Sequence, residues 1–272
     1  MLRRHLCRGA ARGKKVLNRS DLHGVDGTRA HSAVNSNYSY NSAVNRIHAF
    51  KALLFDADGT LYNSTPLHYE AYRRTSRELY GFDFTPELFK RECIEKYKQP
   101  TQVLREHGIP CITADFRARK APFYASLAEE KLKATEGLVN LLEEATTHEI
   151  PCAVVTGAQR HSADVSLDLL DIRKYFAAII TQEDTEFRKP DPHPYLLAAE
   201  HLGMPPMDCC AFEDTTIGIT SAKSAGMFCV GIHHEGNTPV ELAEADLIIR
   251  DFNDLKFECN GRKIKVSATI PS

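Results

Sequence analysis

No apolar run in the 272-residue sequence approaches the ~20 residues that a helix needs to cross a bilayer, so no membrane partner is expected. No C-x-x-C pair occurs among the eight cysteines, at positions 7, 93, 111, 152, 209, 210, 229 and 259. Several lie inside apolar runs, as in "PCAVVT" and "MDCCAFED", where cysteine behaves as a small buried hydrophobe. The spacing argues against a disulfide framework and a zinc site, and it fits a reducing, cytoplasmic compartment. No internal repeat or low-complexity tract is present, which removes repeat arrays from consideration.

Acidic residues are scarce at one end. Residues 1–48 contain nine of the 34 basic side chains but only Asp21 and Asp26 of the 36 acidic ones. The remainder carries 25 basic and 34 acidic residues, a net charge of −9 against −2 for the whole chain. An acidic body argues against nucleic-acid binding. The same 48 residues lack apolar periodicity. They read as a disordered basic tail, or as a mitochondrial or other organellar transit peptide, for which an Arg-rich, acid-poor composition is the signature.

What is present is a soluble globular composition, 43% hydrophobic and 26% charged, in a length that holds one large or two modest domains. From Ala49 buried strands recur: "FKALLF" (50–55), "CAVVT" (152–156), "AAIIT" (177–181), "CCAFE" (209–213), "FCVGI" (228–232) and "DLII" (246–249). Helical patterns at 137–148, 160–170, 192–202 and 215–225 alternate with them, and Gly226 follows the last where a C-terminal cap belongs. This alternation predicts an α/β fold, a doubly wound parallel sheet covered on both faces.

The alternation fails once. Residues 66–133 show only helical stretches, punctuated by "YGFDFTPE", "HGIP" and Ala121-Pro122, with Thr85-Pro86-Glu87 as a helix start. The predicted organisation is an α/β core at 49–65 and 134–256, a helical cap at 66–133, and a C-terminal tail at 257–272. A cap that leaves and re-enters near the end of the first strand covers the sheet edge where ligands bind in open α/β folds.

Chemistry-bearing residues gather at that edge. In "LLFDADGTLYNS", Asp56 and Asp58 end the first strand, and alternate residues of a strand point to one side. Both carboxylates can therefore face one small volume, although Asp-Gly is also a common turn. The second strand ends in Thr156-Gly157, a hydroxyl and a backbone N–H able to hold a phosphate oxygen. Lys189 follows the third strand in "FRKPDP", and Glu213-Asp214 ends the fourth before a helix opening "TTIGI". Capping of that helix is a competing role for Asp214.

These motifs resemble those of the haloacid dehalogenase superfamily, in the group with a small helical cap. "DADGT", Thr156 in "VVTGA", Lys189 in "RKPDP" and "FEDTTIGI" correspond to its four motifs in order, over about Ala49 to Asp254. Thr215 departs from the more usual Ser but keeps a hydroxyl. The resemblance is nearest to sugar-phosphate phosphatases and β-phosphoglucomutases.

It implies a Rossmann-like core and an aspartyl-phosphate mechanism. Asp56 is the expected nucleophile and Asp58 the proton shuttle. Thr156, Gly157 and Lys189 are expected to bind phosphate, with Lys189 offsetting its growing charge. Mg²⁺ is the implied cofactor, held by Asp56, the main-chain carbonyl of Asp58, Asp214 and, as a further contributor, Glu213. His68 resembles a cap histidine of many relatives, which contacts substrate or orients Asp58; an exposed helix histidine is the bland alternative.

The expected function is Mg²⁺-dependent hydrolysis of a small phosphorylated metabolite, a sugar or polyol phosphate, by a monomer. An acid at position 58 argues against dehalogenation, because halide leaves without a proton. The alternatives are a β-phosphoglucomutase-like phosphomutase and a non-catalytic binding protein. A mutase needs cap groups for a second phosphate, and the "EKYKQPTQ" region offers only Lys96, Lys98 and Thr101 without the Gly and Ser-Arg of such mutases.

Overall fold

The computed structural model describes residues 48–268, apart from 95, 97 and 235. The basic N-terminal segment, with its transit-peptide reading, lies outside the described residues up to residue 47.

Two short strands open the described residues, β1 (His48–Phe50) and β2 (Ala52–Phe55). The helical segment follows, with α1 (Thr65–Tyr80), α2 (Pro86–Phe89), a π turn (Lys90–Ile94), α3 (Pro100–Glu106) and α4 (Thr113–Lys131). The chain then alternates through α5 (Leu138–Thr147), β3 (Cys152–Val155), α6 (Arg160–Leu169), β4 (Phe176–Ile180), α7 (His193–His201), β5 (Cys209–Glu213), α8 (Thr216–Ser224) and β6 (Phe228–Ile232). It closes with β7 (Leu247–Ile249), β8 (Leu255–Cys259) and β9 (Ile264–Ala268).

Six strands form one parallel sheet in the order β4-β3-β2-β5-β6-β7. The period-2 alternation of side chains splits the core into two layers. Leu53, Phe55, Val154 and Phe212 face Leu138, Leu141 and Leu142 of α5. Ala52, Leu54, Ala153, Val155 and Ala211 face Tyr195 and Ala198 of α7 and Ile219 of α8. Strands buried on both faces read as unbroken apolar runs, which is why they were legible in the sequence. From β2 the chain winds outward to β3 and β4, then returns to β5 on the other side of β2. The carboxyl ends of β2 and β5 therefore meet at the switch point of strand order, where a crevice opens.

Two expectations at the chain's ends need correction. "FKALLF" is not one strand: the backbone bends at Lys51, whose Nζ pairs with Asp208 at 2.7 Å, and β1 joins a different sheet. Residues 257–272 are not simply a tail. β8 and β9 form an antiparallel hairpin, and β1 pairs with β9 to complete a three-stranded sheet. Leu255, Ile264 and Val266 bury themselves against the core from this sheet. The turn signal was Asn260-Gly261, with Gly261 at φ +59°.

Within the helical segment, Thr85 caps α2 by accepting from Leu88 N at 3.2 Å, with Pro86 at the first helical position. Pro122 does not interrupt the helix as expected. α4 runs through it, with the proline ring exposed. α1 and α4 share the apolar contacts of Leu67, Ala71, Tyr124 and Leu127, and Phe84, Phe89, Leu104 and Phe116 make a second cluster. Entry and exit run side by side, because Tyr62 bridges Ala134 and Thr135 N donates to Leu61 O at 2.9 Å. No helix among the described residues is long and apolar enough to cross a membrane.

Candidate active site

Asp56 is the first residue beyond β2, and its N–H still donates to Phe212 O of β5 at 2.9 Å. That bond aims its carboxylate out of the sheet at the switch point, where it is buried. Lys189, from the loop after β4, reaches the same place. Its Nζ donates to Asp56 Oδ1 at 2.6 Å, Val155 O at 2.7 Å and Glu213 Oε1 at 2.5 Å. Burial opposes the lysine's charge, but the Asp56 and Glu213 carboxylates outweigh it and hold the ammonium above its ordinary pKa.

Glu213 is fully buried, and its Oε1 also accepts from Tyr195 at 2.8 Å. Its other oxygen faces Thr215 Oγ1 and Asp214 N, each at 3.3 Å. Asp214 Oδ2 lies 3.1 Å from His234 Nε2, and Asn237 Nδ2 donates to Asp214 O at 2.8 Å. Thr215, not Asp214, caps α8, accepting from Gly218 N at 3.1 Å. That division of labour leaves Asp214 for the site.

Two glycines make room for this cluster. Gly59 has φ +92°, and a Cβ there would overlap the Asp214 carboxylate; a Cβ at Gly218 would overlap that of Glu213.

Carboxylate oxygens of Asp56, Glu213 and Asp214 lie within 4.8 Å of one another. Asp214 Oδ1 is buried with no hydrogen-bond partner among the described residues. Burial pushes the Asp56 and Asp214 carboxyls up, with neighbouring carboxylates adding to the effect. An orphaned acceptor inside an all-oxygen, over-acidic cluster fits a hard divalent cation such as Mg²⁺.

Asp58 has a different environment, although only Ala57 separates it from Asp56. Ser64 Oγ donates to its Oδ1 in a short contact, and His68 Nε2 of α1 lies 3.6 Å from the same oxygen. Burial works against ionisation, but His68, Ser64 and the charge of Lys120 together hold the carboxyl below its ordinary pKa.

Lys120 of α4 completes a cap wall. Its Nζ is 2.7 Å from His68 Nδ1 and 4.3 Å from the Tyr72 ring centroid, while the His68 ring stacks on Tyr124 at 4.3 Å. Tyr124 OH meets Ser166 Oγ of α6 at 2.9 Å, joining cap to core.

Between wall and sheet edge lies a cavity of about 730 Å³. Asp56, Asp58, Thr156, Gly157, Lys189 and Asp214 line it from the core, and His68, Gln99, Arg117 and Lys120 from the cap. Thr156 N–H is spent on Ile180 O, and its Oγ1 accepts from Ala158 N at 3.0 Å.

The family described as haloacid dehalogenase-like hydrolase matches residues 53–232. The chain belongs to it. Among its relatives, the validoxylamine A 7'-phosphate phosphatase of Streptomyces hygroscopicus subsp. limoneus is 30% identical over 213 residues, 76% of this chain and 97% of the relative. The phosphorylated carbohydrates phosphatase of Thermotoga maritima is 32% identical over 200 residues, 73% of this chain and 92% of that protein. Among solved structures, CbbY from Rhodobacter sphaeroides in complex with xylulose-(1,5)bisphosphate aligns with a TM-score of 0.69 at 26% identity, covering 76% of this chain and 96% of that one.

All eight residues singled out from the sequence lie in or against one site of this hydrolase. Seven line the cavity, and Glu213 stands behind it on Lys189. Lys96 and Lys98 are instead committed to Glu92, at 2.8 and 2.9 Å, and Lys98 also to Glu106. Lys120, Arg117, Ser64 and Tyr195 were not anticipated. Lys120, Arg117 and Tyr195 belong to helix faces that meet the site only through the fold. Only Ser64, six residues after Asp58, had a local signal.

Proposed function

We propose that this hydrolase is a Mg²⁺-dependent phosphatase of a small sugar or polyol phosphate, acting through an aspartyl-phosphate on Asp56. The observation that carries the reading is the unequal surroundings of two neighbouring carboxylates. Asp56 sits 2.6 Å from Lys189 inside the acidic cluster, while Asp58 is held by Ser64 and the cap. Unequal environments assign unequal roles.

In this reading Asp56 attacks phosphorus, and the bond to the leaving oxygen breaks as Asp58 protonates it. Asp58 then takes a proton from the water that attacks the acyl phosphate, which frees Asp56 and phosphate. Lys189 and the Thr156-Gly157 turn hold the phosphoryl oxygens. Asp58 is held ionised at rest, the form that accepts the water's proton. The first half-reaction needs its protonated form, so the Ser64 and His68 contacts must loosen as the ester enters. Asp56, Asp214 and the Asp58 carbonyl would hold Mg²⁺, with Glu213 close by, and the cation would offset repulsion between carboxylate and phosphate.

The two curated relatives described above are named as phosphatases of a phosphorylated sugar-like compound and of phosphorylated carbohydrates. A phosphomutase is the second reading. Arg117 and Lys120 on the cap wall favour it, because a bisphosphate intermediate needs cations opposite the nucleophile. A screen of phosphate esters, with Mg²⁺ and with chelator, separates the readings. Mg²⁺-dependent phosphate release from sugar or polyol phosphates is expected. Isomerisation of a sugar phosphate without phosphate release would favour the mutase, and inertness toward every ester would overturn both.

A further inference from the structure

We infer a second metal site, suited to zinc, where α5 meets the end of β8. Cysteine spacing argued against a zinc site, but spacing does not register ligands that the fold brings together from distant segments. Glu144 lies on α5 and His148 caps its C-terminus one turn later, and Cys259 is the last residue of β8. Alternate residues of β8 face inward, so Leu255, Phe257 and Cys259 pack toward the layer that receives Leu141, Leu142 and Ala145 of α5. Cys259 lies at the rim of that layer, beside the polar edge of the helix.

One ligand atom from each residue, a carboxylate oxygen, an imidazole nitrogen and a thiol sulfur, lies within 4.8 Å of the others. His148 Nε2 is 3.3 Å from Glu144 Oε1. Tetrahedral zinc, with bonds of ~2.0–2.3 Å, sets its ligands about 3.5 Å apart, so small side-chain rotations close the set. Sulfur and imidazole select Zn²⁺ over Mg²⁺, in contrast to the all-oxygen cluster at Asp56. Binding replaces the thiol proton, which leaves to solvent. Thiolate and carboxylate then balance the ion's two charges, and water takes the fourth position. The ion ties α5 to the hairpin that also pairs with β1. Without an ion, the trio is an ordinary helical Glu-His pair beside a thiol.

Cobalt(II) titration of the full chain, with Mg²⁺ in excess, distinguishes the two. One equivalent of Co²⁺ should produce a thiolate-to-cobalt charge-transfer band, Zn²⁺ should abolish it, and Zn²⁺ should raise the Tm. Cys259→Ser should lose the band and the Tm shift, His148→Gln should weaken both, and Cys93→Ser, in the cap, should keep both. No band at stoichiometric Co²⁺, or one that survives in Cys259→Ser, overturns the site. The wild-type titration decides even if Cys259→Ser folds poorly. None of these readouts involves a phosphate ester, so their failure would leave the phosphatase reading untouched.

Discussion

Lys120 Nζ lies 2.7 Å from His68 Nδ1, joining the first and last helices of the cap above the sheet edge. An ammonium only donates, so Nδ1 must present its lone pair. The proton of a neutral imidazole then sits on Nε2, which faces Asp58 Oδ1 at 3.6 Å. Burial keeps His68 below its ordinary pKa, which favours that neutral form. A carboxylate of the core thus depends on a contact made entirely within the cap.

The lysine carries a cost that a substitution can reveal. Burial lowers its pKa from 10.5 to about 8, despite the attraction of Asp58. The unfolded chain therefore binds more protons than the folded one between those values, and Lys120's contribution to stability improves as pH rises through that window. Below about pH 8 the folded protein bears the whole penalty. Lys120→Met should raise the Tm at pH 7 by several degrees, at ~2–4 °C per kcal/mol for a chain of this size. The gain should shrink by pH 10, while kcat falls because Asp58 loses its ordered partner. Calorimetry and turnover at both pH values check this; a lower Tm at pH 7 would refute it.

Gly59 is constrained twice. Its φ of +92° disfavours any side chain, and a Cβ would overlap the Asp214 carboxylate. Gly59→Ala should displace the group whose Oδ1 has no partner, so the Mg²⁺ concentration for half-maximal activity should rise severalfold. Circular dichroism should show the fold intact, since the strain of ~1–3 kcal/mol is local. Unchanged metal dependence would mean that Asp214 is no ligand.

The sheet was legible because its central strands are buried on both faces and read as apolar runs, and the first four predicted strands carried functional residues at or after their ends to one edge. The terminal sheet was not legible in that way. "LKFEC" and "IKVSA" alternate and have only one buried face, so their apolar content is too thin to stand out beside a tail. Lys120 escaped notice for a related reason. Nothing near it in sequence distinguishes it from a solvated helix lysine, and only the packing of α1 on α4 sets it against His68. Pro122 misled because a proline on an exposed helix face leaves the carbonyl four residues earlier, deprived of its donor, to water.

β1 gives a test of where the folded unit begins. A chain starting at residue 47 retains His48–Phe50 and its pairing with β9, so it should melt cooperatively and keep full activity. A chain starting at residue 51 loses the buried Phe50 side chain and that edge of the small sheet. Its Tm should fall clearly, since removing a buried Phe side chain alone typically costs ~3–5 kcal/mol. Equal melting temperatures for the two truncations would mean that β1 contributes nothing.

The two aspartates should fail differently. Asp56→Asn removes the nucleophile and a member of the carboxylate cluster, so turnover should vanish and no phosphoenzyme should form. Asp58→Asn leaves the cluster of Asp56, Glu213 and Asp214 intact and removes only proton transfer. General acid–base assistance is worth ~10²–10⁴-fold, so the loss should approach that range with an alkyl phosphate. It should be much smaller for phosphorylation by a nitrophenyl ester, whose leaving group departs without a proton. Hydrolysis of the acyl phosphate still needs a base, so the second half should slow and the intermediate accumulate. Mass spectrometry of Asp58→Asn protein quenched with that ester should find phosphate on the peptide containing Asp56. Phosphate on a serine or histidine, or full activity in Asp56→Asn, would sink the assignment.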